Sequence, residues 1–349
     1  MKKCDICTGE FPLDKHDFEK CCSVDYKWDY RRMDRKEYKF IDLFCGIGAF
    51  HSAFTNNTTE DVKYTCVMAC DIEKTSQLLY HENYGIKPMG DINKIKFEKI
   101  EDFDILCAGF PCQPFSNAGS KKGFNDPAKG GLFKKIMDIV DIKRPGTLIL
   151  ENVKNIVNIN NGDVFDTIGR EIINRGYMIS FKVLDSKYFG SPQSRQRLFM
   201  ICSLHNRYEF SFERQNIVPV STIIDVNEKN YLDYKDKYDL KKCNSPGMMM
   251  YKLIHKVTKK GGRQGERVYS VNTCGPTICA SSGGPGGKTG LYYVDKKIRR
   301  LNVSECLQMF GFPKTFKRTT VLNDEKLLFH LGNSIVVNVL NSIIKNLHQ

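Results

Sequence analysis

The chain has no apolar run long enough to cross a bilayer, no apolar stretch after Met1-Lys2-Lys3-Cys4-Asp5, no internal repeat and no low-complexity tract. Each absence removes a class of protein. A spanning helix needs about 20 consecutive apolar residues, so no membrane partner is expected. Without an apolar core the N-terminus does not read as a secretory leader. A reducing compartment is therefore expected, cytoplasm or nucleoid, or nucleus in a eukaryotic source. The 14 cysteines should then be mostly free thiols. The absence of repeats argues against a solenoid or a propeller.

What is present is a 349-residue chain, long enough for one large domain or two modest ones. Its formal charge of +13 favours a polyanionic partner. A solvated Lys-rich surface gives the same number, so charge alone decides nothing. Residues 1–37 are polar, charged and Cys-containing, and read as an appendage. From Tyr38 short apolar runs alternate with helix-period segments, which predicts an α/β fold with a mostly parallel sheet. The predicted strands are Lys39–Phe44, Tyr64–Cys70, Asp104–Phe110, Thr147–Leu150, Ile179–Leu184 and Leu198–Cys202, with helices over Leu132–Ile142 and Val164–Arg175. Residues 210–297 break that rhythm. They are rich in Lys, Asp, Asn and Gly, and read as a second, loop-rich domain. Residues 298–349 return to helical periodicity, with an apolar stripe from Ile335 to Leu347 expected to dock on the first domain.

Four polar features follow the predicted strands: Phe44-Cys45-Gly46-Ile47-Gly48, then Asp71, then Pro111-Cys112-Gln113, then Glu151-Asn152. In an open α/β sheet the carboxyl ends of the strands form the ligand crevice, so all four should share one edge. The Gly46/Gly48 turn allows close approach to a ligand and opens a helix whose amides favour an anion. Asp71, 25 residues beyond Gly46, is placed to accept ribose hydroxyls. The third glycine of a dinucleotide fingerprint is missing, which counts against a nicotinamide oxidoreductase. Most of the cysteines suit a core. Cys112 does not, because Pro111 and Gln113 make its loop rigid and polar. Arg195 and Arg197, two apart at a strand start, are expected on one face, where they could activate that thiol. Glu151 is a candidate general acid.

Asp42-Leu43-Phe44-Cys45-Gly46-Ile47-Gly48, Gly109-Phe110-Pro111-Cys112-Gln113-Pro114-Phe115-Ser116, Glu151-Asn152-Val153 and Gln193-Ser194-Arg195-Gln196-Arg197 resemble the ordered motifs of the DNA cytosine-5 methyltransferases. Arg300-Leu301 through Glu305-Cys306, Gly311-Phe312-Pro313 and Gly332-Asn333-Ser334 complete the series across residues 38–349. The resemblance implies a Rossmann-like, S-adenosylmethionine-dependent methyltransferase fold. It has helices on both faces of a mostly parallel sheet and a smaller target-recognition domain over 210–297. It implies that Cys112 attacks C6 of a flipped cytosine while Glu151 holds the ring. Arg195 and Arg197 would hold the base and its phosphate. The cofactor would meet Phe44, Gly46, Gly48, Asp71, Ile72, Asp91, Ile92, Leu132, Asn333 and Ser334, with Asp71 standing where the family usually has Glu. Double-stranded DNA would meet Phe110, Ser116, Gln264, Arg267 and Thr277, and the enzyme would act as a monomer.

Gly261-Gly262-Arg263-Gln264-Gly265-Glu266-Arg267-Val268-Tyr269-Ser270 resembles the recognition loop of bacterial enzymes that read GCGC. Ser281-Ser282 stand where those enzymes carry an aromatic residue. Cys4, Cys7, His16 and Cys21 or Cys22 form a candidate zinc set. The competing functions are a tRNA methyltransferase on the same scaffold and a non-catalytic DNA-binding regulator.

Overall fold

The computed structural model describes residues 36–111, 131–243, 248–319 and 322–347. They fall into two compact units. The first runs to Leu184 and takes back Gln196–Phe212 and the residues from Ile343. The second takes Asp185–Arg195 and Glu213–Ser342.

The first unit is built on six strands: β1 (Glu37–Leu43), β2 (Lys63–Cys70), β3 (Ile105–Gly109), β4 (Thr147–Val153), β5 (Met178–Asp185) and β6 (Gln196–Ser203). Their order is β2-β1-β3-β4-β6-β5. The first four run parallel, and β6 runs antiparallel to β4. Helices α1 (Ala49–Asn56), α2 (Lys74–Tyr84), α3 (Gly131–Lys143) and α4 (Asp163–Ile173) cover the sheet. The period of two explains how both faces are filled. Ile41 and Leu43 enter a core with Phe133 and Ile136 of α3 and Val164 and Ile168 of α4. Phe40, the residue before Ile41, turns by alternation to the other face and stacks on Phe54 of α1 at 4.2 Å. Strands buried on both faces read as continuous apolar runs, which is why this sheet shows in the sequence. Each buried Ile or Leu contributes about 1.5–3 kcal/mol.

The second unit carries a five-stranded sheet that the sequence reading did not anticipate: β7 (Tyr238–Lys242), β8 (Met249–His255), β9 (Arg267–Ser270), β10 (Leu291–Val294) and β11 (Lys297–Arg299), in the order β11-β10-β9-β8-β7. Helices α5 (Val303–Met309) and α6 (Asp324–Asn333) belong to this unit, and α7 (Val337–Lys345) leaves it at Ser342. Residues 298–349 were expected to return to the first domain, but only the last turn of α7 does so. The reason is a buried ion pair. The Arg299 guanidinium on β11 donates to both carboxylate oxygens of Glu305 on α5 at 2.6 and 2.8 Å, so the helix stays with the sheet.

The expected stripe is buried from Ile335 through Ile344, although α7 itself begins only at Val337 and leaves Ile335 and Val336 in the turn before it. Contrary to the sequence expectation, the stretch Asp324–Lys345 is apolar and long enough to cross a membrane by composition, yet 72 % of its most apolar 18 residues is buried within the protein.

Candidate active site

At the end of β1 the chain turns sharply through Phe44, Gly46 and Gly48, all with positive φ (55°, 52° and 87°). A β-carbon on Gly48 would lie 2.1 Å from the Tyr84 ring, so only glycine fits there. A β-carbon on Gly46 would meet nothing within 4 Å. Gly46 therefore serves a different need: its backbone conformation is left-handed and its outer side is open to a ligand. With β1 between β2 and β3, this turn stands at the topological switch point of the sheet.

Asp71, just past β2, braces the turn. Its Oδ2 accepts the Gly46 N–H at 2.8 Å and its Oδ1 accepts the Glu73 N–H at 2.8 Å. Burial pushes the Asp71 carboxyl up, and those two N–H donors pull it back in part. Ile72, beside it, is 75 % exposed, an apolar side chain with no core to enter. Met89 lies parallel to β2 by exchanging backbone bonds with Ala69 and Asp71. That bridge brings Asp91 to the same edge. Asp91 caps the next turn through Oδ1, which accepts the Asn93 N–H at 3.0 Å. Ile92 is buried in the core and Leu132 packs against it half-buried, so Ile92 offers a ligand backbone rather than side chain.

Two strands along, the β3–β4 register sets Gly109 opposite Glu151. The Glu151 carboxylate meets the Arg197 guanidinium from β6 at 3.2 Å, and both are largely buried. Asn152 donates from Nδ2 to the Phe110 carbonyl at 3.0 Å, tying the end of β4 to the residue before Pro111. Sequence reasoning named Asn152 only as part of a motif, and its work of holding this loop was missed. Phe110 was expected to contact DNA. It is instead 3 % exposed and packs on Phe133 in the core of the first unit. Cys112, Gln113 and Ser116 lie outside the described residues, as do Cys4, Cys7, His16, Cys21 and Cys22. Among the described residues no group of three His, Cys, Asp or Glu side chains could hold a metal ion.

Arg195 is the main correction. It was paired with Arg197 on the reading that residues two apart on a strand share a face. But β6 begins at Gln196, so Arg195 precedes the strand and the alternation does not apply to it. Its side chain is buried in the second unit, where backbone carbonyls of Ile278, Gly332 and Ser334 accept its N–H groups. A guanidinium so engaged does not reach a base or a phosphate.

In the second unit Gln264 opens a short turn closed by Glu266, whose carboxylate accepts the Arg263 N–H at 3.0 Å. The Gln264 Nε2 donates to the Thr277 carbonyl at 2.5 Å, and the Cys279 thiol donates to Gln264 Oε1 at 3.4 Å. Thr277 Oγ1 donates to the Ser194 carbonyl at 2.7 Å. Arg267 is exposed on β9, with Nε bonded to the Gly262 carbonyl at 2.8 Å. Gly265 lies so close to the stretch Ser281–Gly287, five of whose seven residues are Gly or Pro, that a β-carbon would lie 2.0 Å from the Gly283 carbonyl oxygen.

A switch-point glycine turn, an acid that braces it and a carboxylate–guanidinium pair two strands along define an enzyme that seats a nucleotide-like cofactor beside a polar reaction edge. Comparison with known proteins specifies the class. The family model for C-5 cytosine-specific DNA methylases matches residues 38–349. The chain is 36 % identical over 320 residues to the Type II methyltransferase M.HhaI of Haemophilus parahaemolyticus, covering 88 % of this chain and 94 % of that protein. It is also 36 % identical to M.HaeII of Haemophilus aegyptius (88 % and 92 % covered) and 32 % identical to M.MspI of a Moraxella species (89 % and 70 %). Among solved structures, the Entamoeba histolytica methyltransferase EhMeth aligns with a TM-score of 0.68 at 18 % identity (89 % and 98 % covered), which speaks for the fold.

The chain belongs to the C-5 cytosine-specific DNA methylase family. It is a DNA (cytosine-5) methyltransferase, and its methyl donor is S-adenosylmethionine. The open side of Gly46, the exposed Ile72 and the Asp71 and Asp91 carboxylates fit such a donor. The match begins at residue 38, so it gives the N-terminal zinc set no support. The relatives named are bacterial, and they give a nuclear location no support either.

Proposed function

We propose that Cys112 is the nucleophile, Glu151 the group that holds the target ring and Arg197 the group that orients Glu151. The observation that carries this reading is the β3–β4 register, with Gly109 opposite Glu151 and Asn152 fastened to Phe110, two residues before Cys112. The Cys112 thiolate adds to C6 of cytosine, and the electron pair displaced from the C5–C6 bond makes C5 nucleophilic. Glu151 hydrogen-bonds N3 and the exocyclic amine and so stabilises the charge that moves onto the ring. S-adenosylmethionine, when bound, supplies the methyl group to C5. Water takes the C5 proton, the C5–H bonding pair re-forms the C5–C6 double bond, and the C6–S bond breaks to return Cys112 as the thiolate. The base must leave the duplex to reach this edge, at a cost of a few kcal/mol. Asp71 and Asp91 hold the donor by hydrogen bonds and Ile72 covers it with apolar surface; Asn333 and Ser334 are further residues that meet the donor by the family resemblance. The enzyme works as a monomer in the cytoplasm or nucleoid.

A duplex with 5-fluorocytosine at the target tests the mechanism, since fluorine cannot leave as a proton does. A cofactor-dependent covalent complex is expected on a denaturing gel with the native chain and none with Cys112→Ala. An adduct that survives Cys112→Ala would remove the nucleophile from this position.

We further propose a short site containing GC, with GCGC the leading candidate. Support comes from the Gln264–Arg267 loop and from the similarity to M.HhaI. M.HaeII is equally similar, so identity alone does not select a sequence. Arg267 is exposed and can face a guanine edge, where a bidentate pair discriminates by about 1–3 kcal/mol. Expression in a methylation-free host followed by bisulfite mapping is expected to place 5-methylcytosine at GC steps. Methylation spread over sites lacking GC would refute the loop argument.

A further inference from the structure

We propose that Arg195 is a positioning residue that couples cofactor occupancy to target recognition. Its guanidinium is 3 % exposed and spans three carbonyl oxygens in the second unit. Nη1 donates to Ile278 O at 2.9 Å, and Nη2 donates to Gly332 O and Ser334 O at 2.8 Å each. The Phe310 ring lies 5.1 Å from its central carbon and fixes the plane of the fork. The two carbonyls on Nη2 flank Asn333. The carbonyl on Nη1 lies between Thr277 and Cys279, the two residues that hold the Gln264 amide.

Two further contacts make the same junction stiff. Gln193 Oε1 accepts the Ile278 N–H at 2.9 Å. Gly332 lies so close to the neighbouring backbone that a β-carbon would be 2.1 Å from Ala280 N and 2.4 Å from the carbonyl carbon of Cys279. A ligand that shifts Asn333–Ser334 therefore pulls on Thr277–Cys279, because a planar guanidinium cannot follow one carbonyl without straining its bonds to the others. Close-packed backbone passes on the remainder of the displacement. Lysine keeps the charge but lacks the fork, so it cannot hold three segments in one plane.

The inference rests on the proposed reading that Asn333–Ser334 meet the cofactor and Gln264 and Thr277 meet DNA. Coupling is reciprocal in binding free energy and can be read as one factor: the ratio of duplex Kd values without and with saturating S-adenosylhomocysteine. For the native chain a factor of at least about 5 is expected, within the ordinary allosteric range. Arg195→Lys and Gly332→Ala should each bring it toward 1. Phe310→Leu removes only the ring beneath the fork and should lower it in part, which provides a milder variant should the others fail to fold. A native factor of 1, or variants that keep the native factor, overturns the inference. Asn333→Ala and Gln264→Ala are the controls. If neither weakens its own ligand, the assignment of the two segments fails. If both do while Arg195→Lys leaves the factor intact, the coupling fails alone.

Discussion

His51 enters the core of the first unit as an uncharged ring. It stacks on Tyr84 at 4.2 Å, and its Nδ1 is 2.8 Å from the Tyr80 hydroxyl. Burial pulls its pKa down to about 4. An unfolded histidine titrates near 6.5, so below that pH the unfolded chain takes up a proton that the folded chain refuses. Stability is therefore lost as pH falls from about 6.5 to about 4, by an amount on the order of 2 kcal/mol for this ring after allowing for its partial exposure. Asp42, on the same side of β1 as Phe40, acts with the opposite sign. Burial holds its carboxyl well above the usual range, so its contribution falls as pH rises past the ordinary carboxylate value. His51→Gln is expected to flatten the acid limb of a melting-temperature profile between pH 6.5 and 4. An unchanged limb would show that another group governs it. None of this was legible from one histidine in a sequence, since its titration depends on two tyrosines about thirty residues away. The strand-end residues were easier, because Gly46, Asp71 and Glu151 each follow an apolar run that marks its own end. Arg195 misled because it reads as part of the strand start, whereas β6 begins at Gln196 and leaves Arg195 in the segment before it, where strand alternation does not set its direction.

Among the elements, the parallel strands announced themselves and the recognition sheet did not. Strands β1, β3 and β4 are largely buried on both faces, whereas β7 to β11 run only three to seven residues and are laced with charge. Their core is small, with Leu253, Val268, Leu291 and Ile298 at its centre. On the opposite face, Lys241 pairs with Lys252 and Lys252 with Arg267, three cations in register across three strands. Like charges set directly opposite destabilise a sheet. Lys241 and Lys252 are expected to face the phosphates of the substrate duplex, beside the Arg267 assigned to a guanine edge. The double variant Lys241→Ala, Lys252→Ala is expected to weaken binding to target and non-target duplexes alike. It should also flatten the dependence of log affinity on log salt by about 2. Folded stability should hold or rise by a few tenths of a kcal/mol. A loss confined to the target duplex, with the salt slope intact, would make these residues readers of bases instead.

For the whole molecule, the first unit is assembled from three separate stretches of chain, and the last of them is short. The Ile343 and Ile344 side chains are fully buried, and the Ile343 carbonyl accepts the Tyr208 hydroxyl at 3.0 Å. Asn346 adds a bond from Nδ2 to the Ser211 carbonyl at 3.1 Å. The apolar periodicity near the C-terminus foretold that this segment would pack. It could not say that the packing changes units inside one helix, because Val339 and Leu340 are as apolar as Ile343 and a stripe carries no address. Truncating Ile343 to Ala removes buried methylenes that the surrounding structure can only partly refill. A cost of about 2–4 kcal/mol is expected, within the range for large-to-small core changes. The loss should appear in denaturant unfolding as an earlier midpoint, with the β1–β6 core opening first in hydrogen exchange. Val339→Ala, four residues earlier and buried in the second unit, should leave exchange in that core near native. Equal loosening of both cores by either variant would mean that the two units unfold as one.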